Sequence, residues 1–157
     1  MFRRRQRSYT QSGLFDQTTF YASFVKDLKD CTDTLVIESP FITLGRVNML
    51  LPSLIKLRKR GVQIVVNTRD PIEHEYEYQL QAEEAIAKLQ NIGVDVLYTI
   101  KHHRKLAIID RTVIWEGSLN ILSHYDSCEI MRRMVSSTEA ETLISFIKLQ
   151  KYLQGTA

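Results

Sequence analysis

Thr34-Leu-Val-Ile-Glu38, Ser39-Pro40, an apolar stripe at Val47, Leu50, Leu51, Leu54 and Ile55, and then Gly61-Val62-Gln-Ile-Val-Val66 follow one another in this chain, and their order decides the fold. The first run is rich in branched apolar residues and stops at a proline, which has no N–H to continue a central ladder. The stripe recurs at three and four residues, so it lies on one helical face, with Arg58 continuing it and Gly61 suited to the helix C-terminus. The second run is extended again. Strand, helix and strand in this order make a βαβ unit, whose two strands are parallel.

The pattern repeats outward. A helix over residues 74–91 carries Ala82, Ala85, Ile86 and Leu89 on one face, with Gly93 after it and the strand Val94-Asp-Val-Leu-Tyr98 next. Before the first strand, Phe20, Phe24 and Leu28 predict a helix behind Thr18 and Thr19 as N-cap candidates, and residues 8–18 read as polar and loose. Beyond residue 104 the segments 105–110, 112–116 and 128–135 read as short strands with close connections, followed by a helix over 138–153. The expectation is an α/β fold, a mixed β-sheet flanked by helices on both faces, with a basic tail over 1–17 and one domain over 18–157.

Composition fits that reading. The chain has 157 residues, 44% hydrophobic and 25% charged, with three prolines, which suits a single globular domain. No run reaches the roughly 18 apolar residues of a membrane-spanning helix. Of the net charge of +3, Arg3, Arg4, Arg5 and Arg7 supply more than the whole. They read either as a solvated tail or as a contact to nucleic acid or another anionic surface. No apolar stretch follows them as in a signal peptide, and Cys31 and Cys128 have no metal or redox spacing, so we expect a cytoplasmic protein with reduced thiols. The run Glu73-His74-Glu75-Tyr76-Glu77-Tyr78 lacks the second histidine of a zinc helix and reads as a charged face; no metal or other cofactor is expected.

The chemistry gathers in His103-Arg-Lys105-Leu-Ala-Ile-Ile-Asp110 and, after six residues, Gly117-Ser118-Leu119-Asn120. In an extended chain His103 and Lys105 project to one side, bringing an imidazole to a cation that can hold an anionic ligand, while His102 and Arg104 project to the other. Gly117 would allow close backbone approach to a phosphate, and Ser118 and Asn120 would offer donors to its oxygens. Glu129 could accept the other ring N–H of His103 and set its tautomer. Asp110 reads as a chemical group or as a cap on a turn, Trp115 and Glu116 as packing, and His124 and Tyr125 as cleft or loop residues.

The spacing HxKxxxxDxxxxxxGSxN, matched at every fixed position and with Glu129 downstream, resembles the phospholipase D superfamily. That resemblance implies a phosphodiesterase with His103, Lys105, Asn120, Glu129, Ser118 and Asp110 as catalytic candidates and no metal. It also implies that a complete site needs two motifs, one histidine forming a phosphohistidine and the other serving as acid and then base. With one motif here, a twofold homodimer is the economical solution. The flanks Ile114-Trp-Glu-Gly-Ser-Leu-Asn-Ile-Leu-Ser-His124, Glu129-Ile-Met-Arg-Arg133, Phe20-Tyr-Ala-Ser-Phe24 and Glu38-Ser-Pro-Phe-Ile42 look like phospholipase D-like domains associated with bacterial helicases and DNA-processing proteins. They favour a DNA or RNA nuclease, with Gly117 and the arginine tail binding substrate and a helicase or ATPase as possible partner. A phospholipid phosphodiesterase and a silent nucleic-acid-binding or assembly module are the alternatives.

Overall fold

The computed structural model describes residues 11–153, so Arg3, Arg4, Arg5 and Arg7 lie outside it. In chain order the elements are β1 (Gln11–Asp16), α1 (Phe20–Asp30), β2 (Thr34–Glu38), α2 (Leu44–Lys59), β3 (Gln63–Thr68), α3 (Tyr76–Asn91), β4 (Asp95–Tyr98), β5 (Leu106–Ile109), β6 (Val113–Gly117), β7 (Ile130–Val135) and α4 (Ser137–Phe146). The strands form one mixed sheet in the order β1-β7-β6-β5-β2-β3-β4. β2, β3 and β4 are parallel, as the two βαβ units predict. β5 joins β2 antiparallel, and β6, β7 and β1 continue antiparallel from it.

Alternation along β2 divides the core. Leu35 and Ile37 pack with α1, α2 and α3 on one face, and Val36 packs with Ala140 and Ile144 of α4 on the other. Burial on both faces is why this strand reads as an unbroken apolar run. Trp115, fully buried, meets Phe15 and Phe20 edge-on at 4.8 and 5.1 Å. Its indole N–H donates to Asp27 at 2.8 Å, and Asp27 also receives both ends of the Arg133 guanidinium at 2.8 Å, which ties α1 to β6 and β7.

Three expectations are corrected. Residues 11–16, expected to belong to a loose tail, form edge strand β1, because pairing with β7 and the packing of Phe15 supply what its weak alternation lacks. At the start of α1 Thr19 is the N-cap residue, one of the two candidates, but its side chain makes no cap bond; instead the Asp16 carboxylate braces the entry, accepting from the N–H groups of Thr18 and Thr19 at 2.8 and 3.1 Å. The last helix ends at Phe146, where Leu149 N–H reaches back to the Ile144 carbonyl at 3.2 Å and Lys148 takes a φ of 60°. That is the helix-ending turn in which glycine is usual.

Asp110 also departs from the catalytic expectation. It sits with Arg111 at the centre of the β5–β6 hairpin, both at positive φ, as a two-residue primed turn requires. Its carboxylate accepts from the backbone N–H groups of Thr32, Asp33 and Thr34 at 3.0, 2.7 and 3.1 Å. Burial pushes its pKa up, but those three donors outweigh burial and leave it lowered. Asp110 therefore clamps the α1–β2 turn, at the end of β5 opposite Lys105.

A buried polar group fixes the loop that enters β5. Glu38, fully buried at the end of β2, accepts from Asn67 Nδ2 at 2.9 Å, and Thr99 Oγ1 donates to Asn67 Oδ1 at 2.9 Å. His102 and Arg104 approach Glu38 Oε1 at 4.0 and 3.8 Å. Arg104 N–H donates to His102 Nδ1 at 3.1 Å, so the neutral ring carries its proton on Nε2. The His102 carbonyl accepts from Arg69 at 2.9 Å. Burial, reinforced by Arg104, pushes the His102 pKa down to about 4.

Two measurements check this account. Asp110→Ala should lower unfolding free energy by about 2–3 kcal/mol, read from a urea titration, because three N–H groups lose their acceptor. For His102 the folded pKa lies below the unfolded value of 6.5, so its contribution is complete above pH about 6.5 and is lost as pH falls toward 4. Glu38, whose carboxyl burial raises, opposes part of that loss. The urea midpoint of wild type should therefore fall more than that of His102→Asn over this window; parallel curves would contradict the assignment.

Candidate active site

The C-terminal ends of β2 and β6 and the start of β5 meet at one end of the sheet, where ligands of open α/β sheets bind. They surround a cleft of about 530 Å³ whose lining includes Lys105, Ser118, Asn120 and Glu129. His103 is exposed beside Lys105: the ammonium lies 3.2 Å from His103 Nδ1 and 2.9 Å from the His103 carbonyl oxygen. The two side chains meet as expected, but not through strand alternation, since β5 begins only at Leu106. His102 is buried and faces Glu38.

The remaining candidates take different places. At Gly117 an added methyl would collide with the Ile130 carbonyl oxygen and stand 2.9 Å from Met131 Cα, so the glycine admits the β7 backbone, where a phosphate contact was expected. Ser118 continues that seam: its N–H donates to the Ile130 carbonyl at 2.9 Å and its hydroxyl accepts from Ile130 N–H at 3.0 Å. Asn120 is half-buried in the cleft, and its Oδ1 has no partner within the described residues. Glu129 makes no hydrogen bond to His103 among the described residues; its carboxylate accepts from the Ser127 hydroxyl at 2.7 Å. Facing the cleft, it opposes the lowering of the Lys105 pKa, which burial causes and Arg69 reinforces.

Aromatic walls complete the cleft; Tyr125 was left open as a cleft or loop residue, and Phe41 and Tyr78 were missed in the sequence. Phe41, Tyr78 and the exposed Tyr125 line it. Phe41 packs 5.9 Å from Tyr78 and 5.3 Å from His74, and Arg69 lies 5.2 Å over its ring. The Glu73–Tyr78 run thus supplies packing for a wall as well as a charged surface. The signal available was the position of Phe41 just after a parallel strand, where side chains reach a ligand. His124, left open, lines the cleft and accepts from Arg46 through Nδ1 at 2.9 Å.

The arrangement places a cation and an amide in the lining of an aromatic cleft and an exposed imidazole beside that cation, a set able to hold a phosphodiester near a nucleophile. Among solved structures the chain is similar to a phospholipase D family member, Nuc from Salmonella typhimurium, with a TM-score of 0.73 at 12% identity, covering 92% of this chain and 95% of that one. NucT from Helicobacter pylori gives 0.70 at 14%, covering 92% and 97%. TrmBL2, an archaeal chromatin protein, gives 0.62 at 12%, covering 97% of this chain and 57% of that one. These likenesses show the fold. No curated protein sequence matches the chain. The family model described as "Cardiolipin synthase, PLD-like domain" matches residues 24–145, from α1 through the cleft to α4. The chain belongs to the PLD-like domain family of the phospholipase D superfamily.

Proposed function

We propose that the protein is a metal-independent phosphodiesterase that cleaves DNA or RNA, and that two copies combine to make each complete site. The observation that carries this reading is the Lys105 ammonium held 3.2 Å from the His103 ring at the mouth of a cleft walled by Phe41, Tyr78 and Tyr125. Cation and imidazole suit phosphoryl transfer, and aromatic faces suit bases, each stacked base contributing about 1–3 kcal/mol. TrmBL2, an archaeal chromatin protein similar in fold, binds DNA, which supports the same substrate class. The apolar walls and the family description also fit a phospholipid, which is the second reading.

In the proposed reaction a ring nitrogen of His103 attacks phosphorus while the bond to the leaving oxygen breaks. The second copy's His103 gives that oxygen its proton. The same ring then takes a proton from water, whose oxygen displaces the first histidine and releases a phosphate monoester. Lys105 and the Asn120 amide offset charge growing on the non-bridging oxygens. Leu14 and Ile130, 59% and 55% exposed, flank a recess that Glu129 also lines, next to the cleft. An apolar patch there suits a second copy.

His103→Ala should abolish turnover, and Lys105→Ala and Asn120→Ala should each raise the barrier by about 2–4 kcal/mol in assays on labelled DNA, RNA and phospholipid. Activity should survive EDTA, and acid-labile, base-stable phosphate should be trapped on His103. A strict requirement for added Mg²⁺ would refute the mechanism, and cleavage of phospholipid alone would refute the substrate. Sedimentation should give twice the 18.3 kDa monomer. Leu14→Lys with Ile130→Lys should shift it to monomer and lower specific activity together; a fully active monomer would sink the shared site.

A further inference from the structure

The 103–105 segment borders two recesses. Lys105 lines the cleft, whereas Arg104 lines a separate groove of about 300 Å³ on the α4 side of the sheet. Asn67 and Thr99, joined by their 2.9 Å hydrogen bond, are part of this groove, and Ile147 and Leu149 connect it to the α4 core. Nothing in the proposed reaction uses it.

Its chemistry is one-sided. Arg104, Lys148 and Lys151 converge on the groove, and none of its lining residues is acidic. Among the described residues Lys148 and Lys151 have no carboxylate partner, and the one acid near Arg104 is Glu38, fully buried at 3.8 Å. Two large rings stand exposed around these cations, Phe146 at 73% and Tyr152 at 39%; Tyr98 borders the groove but its phenol lies in reach of the Asp70 and Glu83 carboxylates. Lys151 Nζ lies 5.1 Å over the Tyr152 ring. Uncompensated cations interleaved with exposed rings match a ligand that joins a phosphate to a flat base. Lys148 holds its place at φ 60°, a position that favours glycine, so the rim carries a charge where the backbone alone would select none.

We propose that this groove is a second nucleotide subsite, holding the phosphate and base of a nucleotide that flanks the scissile bond while the strand passes over the 103–105 loop. The inference rests on the nucleic-acid reading above and adds a place on the far side of the loop. Binding of a fluorescein-labelled single-stranded oligodeoxynucleotide to the His103→Ala protein, read by anisotropy through a salt series, tests it. Adding Lys148→Ala and Lys151→Ala should weaken binding roughly threefold to tenfold and flatten the slope of log affinity against log salt by up to about 1.4, at 0.7 for each lost phosphate contact. Tyr152→Ala should also weaken binding, while Tyr152→Phe keeps it, because the ring and not the hydroxyl is used.

Lys26→Ala with Lys29→Ala removes equal charge from α1, on the opposite face; an equal loss there would reduce the effect to a general field and overturn the subsite. Unchanged binding in the Lys148/Lys151 variant would overturn it as well. So would lysine-dependent binding of 5′-AMP without any effect on the oligonucleotide, which would assign the groove to a free nucleotide. DNA cleavage by the protein with His103 intact is scored separately. No cleavage together with lysine-dependent oligonucleotide binding refutes the nuclease and upholds the subsite; cleavage with lysine-independent binding does the reverse.

Discussion

A carboxylate with no exposure at the end of a central strand cannot stand without partners, and Glu38 imposes that constraint on this fold. Desolvation raises its pKa, while Asn67 and Arg104 act in the opposite direction. Its partners come from different parts of the chain: Asn67 from β3, Thr99 through Asn67 from just after β4, and His102 and Arg104 from the loop that enters β5. Partners gathered on the Oε1 of one buried acid therefore draw the parallel half of the sheet and the loop entering β5 together. His103 lies between the two loop residues, His102 and Arg104, that approach this acid.

The opposite end of β5 shows the same economy. Asp110 satisfies three backbone N–H groups of the α1–β2 turn and so fixes where β2 starts. Gly117 and Ser118 do comparable work at the cleft end, letting β6 and the start of β7 approach closely enough to share backbone and hydroxyl hydrogen bonds. Asp110, the aspartate of the motif, is thus engaged in holding the fold. Lys105, Ser118, Asn120 and Glu129 line the cleft, with His103 exposed beside Lys105.

A loop between two recesses has consequences for binding. Successive residues of an irregular segment can face opposite ways, and Arg104 and Lys105 do so, one toward α4 and one into the cleft. The backbone between them is anchored from below by His102 and from the side by Arg69. Anchoring of this kind lets a site hold geometry without a regular element beneath it.

The sequence by itself determined the α/β class, the parallel βαβ half, the apolar core positions and the grouping of His103 with Lys105. The first three rest on local periodicity and on glycine and proline positions, which a chain displays before it folds; the pairing of His103 with Lys105 was read from strand alternation but is made in the loop before β5. Edge strand β1 was illegible, because its stability comes from β7, more than a hundred residues away. The roles of Asp110, Gly117, Ser118 and Glu129 were likewise decided only by tertiary structure: a carboxylate or a glycine is compatible with catalysis or with scaffolding until its long-range partners are present. The same holds for Phe41, which the sequence offered only as part of a flank, and Tyr78, which read as part of a charged face, until α3 folds against the end of β2 and makes them one wall.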